Sequence, residues 1–189
     1  MINDEPVFNF TFSVLSATGG ATQLGASQIE VTPTFTASSY TFTFSSVPTN
    51  GFSVTSGQSI EYEINFTWDP VVVRAEDDLD PNVPPGVATL DTSLCIGALF
   101  SPGCGGASGS LLVTNSGSSS MTFSPVTTVD TQTSLTLNAT SGGSASIGSF
   151  SESVFPSPEP ADLVLVASGF LGILWVALSR RGCRQDLRR

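Results

Sequence analysis

The 189 residues contain no histidine and no lysine, and of the six arginines only Arg74 precedes residue 180. The usual general base, Schiff-base amine and phosphate-gripping lysine are therefore missing, which removes the side chains of hydrolytic triads, imine chemistry and phosphoryl transfer. Up to Glu159, fourteen carboxylates face that single arginine, a net charge of about −13. No phosphate backbone could be neutralised by such a surface, so nucleic acid is excluded as a partner, and anionic lipid surfaces are repelled. Only two tryptophans and two tyrosines occur. Trp68, Tyr62 and Tyr40 fall in register with apolar neighbours and read as core, which leaves carbohydrate recognition without an obvious stacking platform. No amphipathic helical period appears before residue 161, and no repeat of fixed length, which argues against a solenoid or propeller.

What is present is alternation. From Val7 to Leu15, Phe8, Phe10, Phe12 and Val14 share one face while Asn9, Thr11 and Ser13 share the other, the period of a half-buried strand. Gln28 to Thr36 continues it, with Pro33 suiting an edge, and Tyr40, Phe42 and Phe44 alternate with Thr41, Thr43 and Ser45. The clearest segment is Ser59 to Asp69, in which Ile60, Tyr62, Ile64, Phe66 and Trp68 alternate with polar residues throughout. A short run from Val71 to Arg74 meets an acidic stretch read as a loop, Glu76 to Asn82. Strand patterns then resume at Val87 to Leu94, Leu111 to Asn115, Ser120 to Val129, Ser134 to Thr140 and Ala145 to Phe155. Eight to ten short strands separated by Gly and Ser clusters predict an all-β fold, an antiparallel β-sandwich of jelly-roll-like or immunoglobulin-like type spanning residues 1–155. About 155 residues suit one domain with a core of its own.

Three features within that domain could carry chemistry. Eight residues lie between Cys95 and Cys104, and outside the cytoplasm a disulfide closing that small ring stabilises by about 2–3 kcal/mol. Asp78, Asp80 and Asn82 place oxygen-bearing side chains at alternate positions, with Glu76 and Asp77 beside them. Two readings stay open there: a solvated acidic loop, or a calcium site, the one metal the chain suggests. Glu61 and Glu63 stand on one face of the best strand, roughly 6–7 Å apart by strand geometry, a separation at which paired carboxylates can hydrolyse glycosides. That polar face reads as solvated, so a glycosidase is the third reading and the chain is expected not to be an enzyme.

The end of the chain is of a different kind. Residues 156–160 form a proline-rich linker with Pro158, Glu159 and Pro160, and the run from Leu163 to Leu178 carries no charge. Sixteen residues at 1.5 Å rise make a helix of roughly 24 Å, near enough to the ~30 Å hydrocarbon core to span it. A single transmembrane helix is thus expected over 161–179. Arg180, Arg181, Arg184, Arg188 and Arg189 follow, which places the 180–189 tail in the cytoplasm and residues 1–160 outside. At the other end, Met1 to Glu5 have neither a basic region nor an apolar one, so an export signal is expected upstream.

This order of Pro-Glu-Pro, apolar helix and terminal arginines resembles the PEP-CTERM sorting signal. The resemblance implies export, recognition by an exosortase-type transpeptidase in the membrane, cleavage close to Pro158-Glu159-Pro160 and delivery to the outer surface or exopolysaccharide matrix of a Gram-negative bacterium. The sequence as a whole is therefore expected to be a surface or matrix protein with a structural or interaction role. The alternative is a carbohydrate- or calcium-dependent adhesion module on the same scaffold.

Overall fold

The computed structural model describes residues 10–47, 51–68, 71–101 and 103–157. One five-stranded antiparallel sheet has the order β1 (Phe10–Thr18), β5 (Ser59–Trp68), β10 (Val129–Asn138), β7 (Val87–Ile96), β8 (Ala107–Thr114). The other has the order β2 (Ile29–Phe35), β3 (Tyr40–Ser46), β12 (Ser149–Pro156), β6 (Val72–Leu79), β9 (Gly117–Val126). A short pair, β4 (Phe52–Thr55) with β11 (Ser144–Ile147), lies apart from both. All of these strands fall within Met1–Pro156.

The pairing distinguishes between the two sandwich types. β7 pairs with β8, β6 with β9, β5 with β10 and β3 with β12. The chain is therefore a long hairpin, doubled back on itself at the β7–β8 turn, whose nested pairs fall alternately into the two sheets. That is a jelly roll, with β1 and β2 added at one edge. The immunoglobulin-like alternative does not hold.

Alternation of side chains explains why these segments are strands. In β5 every even-numbered residue from Ile60 to Trp68 is buried, and Phe42, Phe44 and Phe150 come from the facing sheet. Phe42 meets Phe66 at 5.8 Å and Trp68 at 5.1 Å, and Phe44, itself stacked on its in-sheet neighbour Phe150, meets Phe66 at 6.2 Å, so the sheets join through aromatic rings that each bury about 150–250 Å². Two departures from strict period have local causes. The register of β1 against β5 shifts between Val14 and Ser16; Leu15 is the extra residue of a bulge and is half exposed. Gly51, at φ +70°, opens β4 so close to the Ile147 carbonyl of β11 that no side chain fits there.

Several expected boundaries are corrected. The acidic stretch 76–82 is a loop only from Asp80 onward: β6 runs unbroken through Glu76, Asp77 and Asp78 to Leu79. β12 reaches Pro156, the residue expected to open the linker. The segment from Ala145 to Phe155 is two strands, β11 and β12, and β4 is an addition. A 3-10 turn, Ala26–Gln28, precedes β2.

Candidate functional site

A cleft of about 260 Å³ lies between the 22–28 segment, which connects β1 to β2, and the ends of β3 and β4. Thr22, Leu24 and Gln28 form one wall, Ser46, Gly51 and Ser53 the other, and Tyr62 the floor. Tyr62 lies on the inward face of β5, stacks on Phe12 at 5.5 Å, and its phenol oxygen accepts the Leu24 amide at 3.4 Å. Burial pushes that phenol above its ordinary value, against a smaller lowering by the Leu24 hydrogen bond, so it stays neutral at physiological pH. No charged residue is among those lining the cleft, although the domain is strongly acidic. A smaller apolar recess of about 80 Å³ is lined by Ala26, Phe12 of β1, Ile29 and Val31 of β2, Phe44 of β3 and Ile64 of β5. The cleft draws on four separate parts of the chain, none with a sequence motif, and sequence reasoning missed it.

Glu61 and Glu63 lie on the outer face of β5 as expected, but each is engaged separately. Glu61 accepts from Ser16 and Ser134, and Glu63 from Asn65 and Gln132. Neither is among the residues lining the 260 Å³ cleft or the apolar recess.

The five acidic-stretch residues do not gather. Glu76 and Asp78 face outward from β6, Glu76 paired with Arg74, whose guanidinium lies 4.3 Å from the Phe155 ring centroid. Asp80 accepts from Ser149 at 2.7 Å. Asn82 is a structural tie: its amide donates to the Gly86 carbonyl and to Asn115, and its side-chain oxygen accepts the Ser146 amide. Asp77 points the opposite way, into the core, at 2% exposure. Among the described residues no group of three or more carboxylates or thiols could hold a metal, so these five share no point at which calcium could sit.

Inside the core Asp77 has a companion that sequence reasoning missed. Glu152 of β12 lies directly opposite it in register and is equally buried at 2% exposure. Facing them from the other sheet are Thr92 of β7 and Thr133 of β10, opposite each other with hydroxyls 2.9 Å apart. Desolvation raises both carboxyls well above the ordinary range, Asp77 to about 7. On Asp77 the hydrogen bond from Thr92 offsets part of that rise and the negative charges of Asp91 and Glu76 add smaller increases; on Glu152 the charge of Asp77 adds to the rise, against a smaller lowering by the hydrogen bond from Thr133.

Cys95 and Cys104 form the expected disulfide, with Cα atoms 5.5 Å apart. Pro158, Glu159, Pro160, the apolar run and the five terminal arginines lie outside the described residues. Among the described residues no helix is long and apolar enough to cross a membrane.

No protein-family model and no curated protein matches this sequence. Among the solved structures that are similar at a distance are the following three. TmCBM61, solved in complex with β-1,4-galactotriose, is 12% identical at a TM-score of 0.39, covering 76% of this chain and 86% of that one. TmCBM27, a carbohydrate-binding module that recognises mannan, is 9% identical at 0.33, covering 79% and 90%. The enzymatically active domain of tailspike protein 4 of bacteriophage CBA120 is 10% identical at 0.29, covering 76% and 19%. Similarity at this level establishes neither a shared fold nor a shared ligand.

Proposed function

We propose that this chain is an exported, non-catalytic binding protein of the cell surface or extracellular matrix, whose jelly-roll domain takes a neutral, hydroxyl-rich glycan in the cleft floored by Tyr62. The observation that carries the reading is the composition of that cleft: hydroxyls and an amide set among the apolar surfaces of Leu24 and the Tyr62 ring, with no charged residue in its lining, on a domain of net charge about −13. An ionic ligand would require a countercharge there, and a fully apolar one would forfeit the hydrogen bonds of Thr22, Gln28 and Ser53. At about 260 Å³ the recess is below the ~300–1,000 Å³ of drug-sized sites, so it suits the end or one unit of a chain. Calorimetric titration of the domain with neutral oligosaccharides chosen from a glycan array tests this. Thr22→Trp, which fills the mouth from an exposed position, is expected to abolish the binding heat; unchanged binding in that variant, or no retained glycan at all, overturns the cleft as the site.

The sorting reading rests on the order of Pro158-Glu159-Pro160, apolar run and arginines, and the disulfide suits an oxidising compartment. Expressed behind an export signal in hosts with and without an exosortase, the mature protein is expected to end near Pro158 only in the first. An intact Arg189 in both hosts would make the tail a permanent anchor and remove the exosortase as a partner.

A further inference from the structure

We propose that Asp77 and Glu152 share a proton between their two unpartnered oxygens and so form a pH-operated latch at the centre of the jelly roll, which joins β6 to β12 when protonated and loosens when both groups ionise. The two residues are on the central pair of one sheet, and Thr92 and Thr133 on the corresponding pair of the other. Asp77 Oδ2 and Glu152 Oε1 are both buried without a hydrogen-bond partner. Directly opposed residues of an antiparallel pair have Cβ atoms about 4.5–5.5 Å apart, which brings two inward carboxyls within reach of each other. Two acceptors cannot satisfy one another, but a single proton between them satisfies both.

No base is available to do this instead. Thr92 on β7 and Thr133 on β10 face the pair from the other sheet, Ser119 of β9 lies opposite Asp77 and Phe42 of β3 opposite Glu152, while Asp91 on β7 and Glu76 on β6 act on Asp77 by charge from the outer faces. All are neutral or acidic, and Arg74 is held on the outer face by Glu76. With only two carboxylates at the centre, a proton rather than a multivalent metal is the simplest neutralising partner. Loss of that proton places two negative charges in a low-dielectric interior, and the repulsion acts directly across the β6–β12 ladder.

The direction follows from linkage. The opposed pair keeps in the folded state a proton that the unfolded chain releases above about pH 4, so the stability this contributes is fully present below that pH and is lost as pH rises through about 7. The melting temperature of the full chain in detergent is expected to drop by about 10 °C between pH 5 and pH 8.5 at constant ionic strength. In Asp77→Asn/Glu152→Gln most of this drop is expected to disappear, while Glu61→Gln/Glu63→Gln, on the outer face, keeps it. Infrared spectra of the unsubstituted protein, which need no variant to fold, should show a protonated carboxyl band at neutral pH that vanishes as pH is raised. A melting temperature that is flat or rises with pH overturns the proposal, as does an equal drop in the Asn/Gln variant or a band absent at neutral pH. So does a drop abolished by 1 mM calcium and restored by chelator, since a cation would then occupy the place of the proton.

Discussion

Trp68→Ala is expected to lower the unfolding free energy by about 3–5 kcal/mol, the range for truncating a large aromatic in a packed interior. Trp68 is fully buried at the end of β5, where the backbone lies opposite Val129 of β10. Its indole meets Phe66 of its own strand edge-on at 5.1 Å and Phe42 of the facing sheet at the same distance. Removing it therefore opens a void between the sheets rather than at their surface, and the surrounding rings can close that void only by leaving their own contacts. A domain of this size has roughly 5–15 kcal/mol in all, so the variant should fold but melt early. Urea unfolding followed by circular dichroism measures it; the midpoint should fall with the slope unchanged, and Trp68→Phe should recover a large part of the loss. A loss under about 1 kcal/mol would mean that the two sheets are not locked through this cluster.

The same residue shows how much of the fold could be read in advance. Trp68 ends a ten-residue strand whose apolar and polar faces separate without exception, and such a pattern needs no tertiary knowledge to assign. β6 was hidden for the opposite reason. Glu76-Asp77-Asp78 looks solvated because isolated carboxylates are rarely buried, yet Ala75, Asp77 and Leu79 keep a strict period of two, and that phase alone placed Asp77 inside. Glu152 carries the same signal between Phe150 and Val154. The residue type outweighed the period in both places, and the structure favours the period. Pairing order had no sequence signature at all, because nesting of β3 with β12 and β5 with β10 joins residues about a hundred and about seventy positions apart. The cleft was illegible for that reason too: its walls are assembled by the topology.

Removing the disulfide is expected to cost about 2–3 kcal/mol, the loop-entropy value for a ring closed over a sequence separation of nine. The loop it closes leads from the end of β7 to the start of β8, where Ile96 lies opposite Ala107. It is also held independently: the Gly97 amide donates to the Thr128 carbonyl at 2.8 Å and the Phe100 amide to the Asp130 carboxylate at 2.8 Å. Reduction should therefore lower the melting temperature by about 4–12 °C without unfolding the domain at 25 °C. Cys95→Ala/Cys104→Ala should behave as the reduced protein does, alanine being chosen because Cys95 is fully buried and a serine there would add an unpaired hydroxyl. A melting temperature indifferent to reductant would show that the loop is held by its hydrogen bonds alone. The same chemistry also bears on export. With Cys95 and Cys104 paired, Cys183 is the sole remaining thiol in the sequence, and it lies beyond the expected cleavage point. Thiol titration under denaturing conditions should then find one reactive group in the unprocessed chain and none in the mature protein. Two further thiols in the mature protein would mean that the domain never met an oxidising compartment, and the surface location would fail with it.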